Sequence, residues 1–273
     1  QPGILIVPEL PEVQTVLDGF AKVVEGHTIT ALECYYPGTV IMDENVTGDV
    51  FPARVIHNRR RGKYMILSLD SGYEMIVHLR MTGKLVYDPE PEEPGKHERA
   101  RLLLDDRSVV HFIDIRTFGK ITLALPEDLQ SYLPELGPEP LERDFSAEYL
   151  ERALKNKAQP VKTALLDQRI VAGLGNIYVC EILYRCKIDP SKPAGKLGGK
   201  ALKSIVRNTR EVLGEALSAN GTSISDFRSI DDKTGGFQEF LRVYQKSNCP
   251  LGHSIANVKL GGRSSFYCPV CQK

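Results

Sequence analysis

The chain has 273 residues, 42% of them apolar, enough for one large domain or two of ordinary size with packed cores. Lys+Arg and Asp+Glu each number 35, so the charge balance neither requires nor excludes a polyanionic partner; only charge segregated along the chain can point to one. No apolar run approaches the roughly 18–20 residues of a membrane span, Ile4–Val7 is too short for a signal-peptide core, and six cysteines without a secretory signal suggest an intracellular protein whose thiols stay reduced or bind metal.

The regular pattern begins at Pro8-Glu9-Leu10-Pro11-Glu12, where two prolines frame one acid and a second acid follows. Leu10, Val13, Leu17, Phe20 and Val24 recur at three- and four-residue intervals and predict an amphipathic helix with one buried face. Pro11 suits its first turn, where the missing N–H costs nothing. Read alone, the segment is an ordinary proline-rich helix start. Beyond it the first half reads as β-rich. Lys63–Leu69 alternates, Asp70-Ser71-Gly72 is turn chemistry, and Tyr73–Leu79 follows. Arg101–Leu104, Ser108–Ile113 and Lys120–Leu125 are further strands, a spacing that favours a sandwich or barrel, and the acidic Asp88–Pro94 is a solvated loop. A boundary falls near Pro134–Arg143, and the pattern then turns helical, with Ser146 as an N-cap and helices over Pro160–Asp167, Ile177–Cys186 and within Gly195–Gly221. Ser223–Phe237 loses periodicity, and a short cysteine-rich hairpin closes the chain.

Charge is segregated locally. Arg54–Lys63 carries five full positive charges in ten residues at the start of a strand, confining the cluster to one sheet edge. That is the footprint expected of phosphate binding, and equally of a solvated basic edge. At the C-terminus, Cys249 and His253 form one ligand pair and Cys268 and Cys271 another, with fourteen residues between the pairs. Three thiolates and an imidazole make a closed tetrahedral site for one structural zinc, which a hairpin with so little apolar content needs to stay folded. Val171–Tyr178 holds a Gly-x-Gly-Asn turn whose amides can face a phosphate, although the third glycine and preceding strand of a dinucleotide fingerprint are missing.

Seven ordered motifs together resemble the bacterial formamidopyrimidine-DNA glycosylases: Pro8–Val13, Arg60–Tyr64, His78–Lys84, Asp114–Gly119, Leu136–Leu141, Val171–Tyr178 and Gly261–Gln272. The resemblance implies an α+β fold. Residues 1–137 would be an N-terminal β-sandwich catalytic domain with flanking helices and 138–145 a linker. A helical helix–two-turn–helix domain with the lesion loop would take 146–237, and a zinc-ribbon hairpin 238–273. It also implies a bacterial, cytoplasmic and nucleoid-associated monomer that flips an oxidised purine out of double-stranded DNA, with no membrane partner. The catalytic roles fall to Pro8 as the nucleophilic amine, Glu9 as the proton donor, Lys63 at the flanking phosphate and in β,δ-elimination, and Glu12 in support. Met81, Arg116 and Phe118 would fill the gap left by the flipped base. His78, Asn176, Tyr178 and Arg263 would complete the DNA contacts, and Ser223–Phe237 would close over the base.

The departures bear on the chemistry. Cys180 and Thr117 stand where the family usually has aspartate and lysine, and His253 replaces a zinc-ligating cysteine, an exchange that zinc tolerates. Gln1–Val7 precedes Pro8, and an internal proline nitrogen is a tertiary amide with no nucleophilic lone pair. The expectation is that these residues are an addition or an upstream start and that the working protein begins at Pro8. The alternatives are removal by processing, a non-catalytic lesion-binding homologue with Pro8 blocked, or a zinc-ribbon protein that binds other proteins. Cys34, Cys180 and Cys186 are expected only to pack.

Overall fold

The computed structural model describes residues 8–221 and 236–273. Residues 1–7, and all of the expected lesion loop except Gly236 and Phe237, lie outside that description. The chain divides into two compact units. One is the described part of Gln1–Pro134 with that of Asn220–Gly236, and the other is Glu135–Ala219 with Phe237–Lys273.

The first unit starts with helix α1 (Leu10–Val24). Glu9 is its N-cap, and a capping box locks the start: the Glu9 side chain accepts the N–H of Glu12, while the Glu12 carboxylate accepts the N–H of Glu9 at 3.0 Å. Val13, Val16, Leu17, Phe20 and Val24 supply the buried face that the spacing predicts. Nine strands follow: β1 (Ile29–Cys34), β2 (Val40–Met42), β3 (Val55–Arg61), β4 (Tyr64–Leu69), β5 (Glu74–His78), β6 (Gly83–Asp88), β7 (Glu98–Leu104), β8 (Val109–Asp114) and β9 (Lys120–Ala124). They form a four-stranded sheet, β1-β7-β8-β6, and a five-stranded sheet, β2-β9-β5-β4-β3, antiparallel except where β2 runs parallel to β9. Met65, Leu67, Val77 and Leu123 from the larger sheet share one core with Leu85, Leu102, Leu104 and Phe112 from the smaller and with Leu17 and Phe20 of α1. A short helix α2 (Leu129–Tyr132) ends the unit's main run.

Four strands escape the alternation test, for one reason. β1, β2, β3 and β6 are the four edge strands of the two sheets, where a side chain can stay solvated, so polar residues interrupt the period. The basic cluster is the main case. It leads into strand β4 and lies at one sheet edge, as its position suggested, and most of it is itself an edge strand, β3, of the larger sheet.

In the second unit, Ser146 caps α3 (Ala147–Leu154) by accepting the Tyr149 N–H at 3.1 Å. Then come α4 (Val161–Leu166), α5 (Asn176–Arg185), α6 (Gly199–Ser218) and a hairpin of β10 (Ala256–Leu260) and β11 (Arg263–Tyr267). The hairpin turns on Gly261 and Gly262, with φ of 56° and 78°, a left-handed pair that suits glycine and fits the twist of the strands. Helix α5 is the centre of the unit, buried from Ile177 to Tyr184. Its Glu181 is fully buried and accepts the N–H groups of Arg242, Val243 and Tyr244 at 2.9, 3.0 and 2.8 Å. Burial raises the Glu181 pKa, and the three amides oppose that rise. Glu181→Ala orphans all three donors and should lower the unfolding free energy of this unit by roughly 3 kcal/mol in denaturant titrations, with Glu181→Gln losing less because it keeps an acceptor.

Candidate active site and nucleic-acid interface

Pro8, Glu9 and Glu12 are brought together by the capping box, and all three are buried. The box fixes Glu9 on the lead into α1, immediately beside Pro8, with backbone and side chain both held. Gly221 packs on Glu12: a Cβ there would lie 3.0 Å from Glu12 Oε1, and its φ of 75° also favours glycine.

The basic strand carries less available charge than its sequence suggests. Arg54 Nε is 3.0 Å from Asp70, Arg59 donates to Glu74 at 3.4 Å, and Arg60 donates to Gln14 at 3.0 Å and to the Gly62 carbonyl at 2.8 Å. These three guanidiniums brace α1 and the sheet edge. Lys63 sits in the turn between β3 and β4, close enough to His78 for its charge to act on that ring.

His78 ends β5, with the Tyr64 ring against it edge-on at 4.3 Å between centroids. Burial, followed by the charges of Arg80 and Lys63, pulls its pKa down to about 3. Its Nδ1 accepts the Arg80 N–H at 2.9 Å, so the neutral ring carries its proton on Nε2 and is a hydrogen-bond donor. The unfolded chain protonates this group near 6.5, before the folded one does, so its contribution to stability is complete above pH 6.5 and is lost as pH falls toward about 3. We expect the His78 ring to show no titration by NMR from about pH 5 to 8. His78→Gln should also flatten part of the acid-side loss of stability.

Met81 lies half-buried in the turn before β6, and Arg116 and Phe118 lie in the loop after β8. One buried carboxylate joins the two connections. Asp114 accepts the N–H of Arg116 at 3.1 Å, the N–H of Gly119 at 2.7 Å and the hydroxyl of Thr82, and Thr82 Oγ1 also accepts the Arg116 N–H at 3.2 Å. The loop held in this way presents Phe118 at 49% exposure, with the Arg116 guanidinium 5.0 Å from its ring centroid. Thr117 occupies the left-handed region at φ 62° and donates its hydroxyl to the Arg116 carbonyl.

In the second unit Asn176 opens α5, just past the Gly-x-Gly turn. The side chain of Gln168 braces that turn, accepting the Gly173 N–H at 2.9 Å and donating to the Leu166 and Leu174 carbonyls at 3.1 and 2.8 Å. Tyr178, expected to touch DNA, is fully buried, with its ring 5.6 Å from that of Phe237. Arg263 is exposed at the hairpin turn. Sequence reading missed the residue that fastens this turn. Lys162 of α4 is fully buried and donates to the Ser264 carbonyl at 2.7 Å and the Ser265 hydroxyl at 2.6 Å. Among helical lysines it had no distinguishing signal.

Cys249, His253, Cys268 and Cys271 converge, one ligand atom from each lying within 4.8 Å of the others. Cys249 Sγ is 3.6 Å from His253 Nδ1 and 4.0 Å from Cys271 Sγ, and His253 Nδ1 is 3.3 Å from Cys271 Sγ. A tetrahedral ion with metal–sulfur bonds of about 2.3 Å sets its ligands about 3.8 Å apart, so the donor set fits such an ion in size and in chemistry. Gln272 braces the second knuckle, accepting the Cys268 N–H at 2.8 Å and donating to the Ile188 carbonyl at 2.8 Å.

The sequence matches the formamidopyrimidine-DNA glycosylase N-terminal domain over residues 7–121 and the formamidopyrimidine-DNA glycosylase H2TH domain over residues 136–228. The chain belongs to the formamidopyrimidine-DNA glycosylase family. The formamidopyrimidine-DNA glycosylase of Pelotomaculum thermopropionicum is 39% identical over 274 residues, spanning 98% of this chain and 99% of that protein. Among solved structures, the MutM (Fpg) protein of Thermus thermophilus matches with a TM-score of 0.87 at 36% identity, over 97% of this chain and 98% of that one. A variant Fpg of Lactococcus lactis, in complex with a Fapy-dG containing DNA, matches with a TM-score of 0.90 at 32% identity, over 97% of this chain and all 100% of that one. No described helix is long and apolar enough to cross a membrane.

Proposed function

We propose that the protein excises oxidised purines, 8-oxoguanine and formamidopyrimidines, from duplex DNA and then cuts the strand as an AP lyase. The observation that carries this reading is the buried capping box that fixes Glu9 beside Pro8 at the head of α1, in a chain of this family. The chemistry needs Pro8 as the first residue, because only then is its nitrogen a secondary amine. That amine bonds to C1′ of the damaged nucleotide as the base departs with the bonding electron pair, and the proton the amine then sheds neutralises the departing base. Glu9 protonates the ring oxygen, the sugar opens, and an iminium remains; Lys63 at the flanking phosphate assists the β- and δ-eliminations that follow. Glu12 holds Glu9 in place.

Flipping leaves a hole in the stack that costs a few kcal/mol unless it is filled, and the braced Arg116–Phe118 loop with Met81 beside it has the shape and exposure for that task. His78, Asn176 and Arg263 would contact the DNA backbone, Tyr178 would act through Asn176, and one zinc held by Cys249, His253, Cys268 and Cys271 would keep the hairpin folded. The protein would work as a cytoplasmic monomer. Borohydride trapping on an 8-oxoguanine duplex tests the proposal with a chain that begins at Pro8. A covalent adduct is expected, and its absence sinks the enzyme reading.

A further inference from the structure

The smaller sheet, ordered β1-β7-β8-β6, gathers several connections at one end. Gly83 pairs with Asp114, Glu98 with Ile113, and Cys34 with Ala100. The Met81 turn before β6 therefore lies on one side of the Arg116–Phe118 loop, and the Tyr35–Thr39 turn after β1 lies on the other. Arg99 on β7 ties that far side together. Its Nε donates to the Asp114 carbonyl at 2.7 Å, and its carbonyl accepts the N–H groups of Tyr35 and Tyr36 at 2.8 and 3.2 Å. Its guanidinium stands 5.1 Å from the Tyr36 ring centroid. Lys120 reaches across to donate to the Gly38 carbonyl.

Two guanidinium–aromatic stacks, Arg116 on Phe118 and Arg99 on Tyr36, thus hang from the two ends of one residue, Asp114. Tyr36 is 40% exposed, and Ile115, next to Asp114, is 58% exposed. At about 4.8 Å per strand, β8 to β1 is roughly 10 Å, about three nucleotide steps of 3.4 Å each.

We propose that Tyr36, with the Arg99 guanidinium against its ring, is a second platform for duplex DNA, seating a nucleotide about three steps from the position wedged by Phe118. This rests on the reading that the Phe118 loop enters the duplex. Duplex DNA is the occupant that the surface fits, because Arg99, Arg116 and Lys120 place cations for phosphates around the exposed Tyr36 and Ile115 side chains. The arginine stack also holds the tyrosine ring in place before any ligand arrives.

The test is fluorescence anisotropy with the full chain and a duplex carrying a stable abasic-site analogue, with melting curves to show that each variant folds. Tyr36→Ala should bind about tenfold more weakly, and Tyr36→Phe, which keeps the ring, should bind as the parent does. Met42→Ala, at an apolar side chain exposed on the other sheet, should also match the parent. Cutting back the duplex to within about two pairs of the lesion on one side should bring the parent down to the Tyr36→Ala affinity, with no further loss in the variant. Unchanged affinity in Tyr36→Ala, or the same loss at every duplex length, overturns the platform. Phe118→Ala separates the two readings. If it weakens binding while Tyr36→Ala does not, only the platform falls; if neither does, the wedge reading falls with it.

Discussion

Glu9→Gln, in a chain that begins at Pro8, is expected to slow release of 8-oxoguanine by about 10²–10⁴-fold, the range contributed by a positioned general acid. The substitution suits the test because it is nearly isosteric. Glu9 caps α1 through a side-chain oxygen that accepts the Glu12 N–H, and glutamine retains such an oxygen. The Glu12 carboxylate can still accept the residue 9 N–H, now held at 3.0 Å. Helix α1 should therefore stay docked on the core, and the melting temperature should move by no more than a few degrees. What disappears is the proton that opens the sugar. Single-turnover base release and borohydride trapping should fall together, while binding to a duplex with an abasic-site analogue stays near the parent value. A Glu9→Gln protein that releases base at the parent rate would remove Glu9 from the chemistry. One that no longer binds DNA or no longer folds would show the carboxylate to be structural.

How much of this could be read beforehand depends on whether a residue's environment is local. Helix α1, its proline-bearing first turn and its buried face follow from the spacing of apolar residues within the helix. The four side chains that could hold a metal were equally legible, since each knuckle keeps its pair within four residues in sequence. The Asp114 hub was not. Its motif marked it only by resemblance, and its work depends on Thr82, thirty-two positions away, and on Arg99 from a neighbouring strand. Lys162 is harder still, because its partners Ser264 and Ser265 lie more than a hundred residues later, and a helical lysine with no such partners would be expected in solvent. The basic strand shows the opposite error. Charge density was visible, but the acids and amides that occupy Arg54, Arg59 and Arg60 come from other segments, so the cluster read as a more open phosphate site than it is.

If the proposed zinc is bound, Cys268→Ala should release it and unfold the hairpin, and with it the proposed Arg263 contact to DNA. The hairpin has little else to hold it. Strand β10 has no buried residue, β11 buries only Ser265, and the main aromatic contact is Phe266 edge-on to Tyr244 at 5.1 Å between centroids. Binding a structural zinc supplies roughly 10–16 kcal/mol in comparable small sites, far more than such a strand pair gains by packing. On this reading the Lys162 bonds to Ser264 and Ser265 anchor a hairpin that the metal would shape. A hydrogen bond to a charged group contributes about 1.5–3 kcal/mol, so affinity for a lesion duplex should drop about 10- to 150-fold. Arg263→Ala should lose a similar amount while keeping its metal, which separates the contact from the scaffold. His253→Cys should keep both metal and affinity, since a fourth thiolate suits the same tetrahedral ion. Metal content by native mass spectrometry and anisotropy on the same samples decide the matter. A Cys268→Ala protein that retains one zinc and the parent affinity would show that the four side chains do not fold the hairpin through a metal.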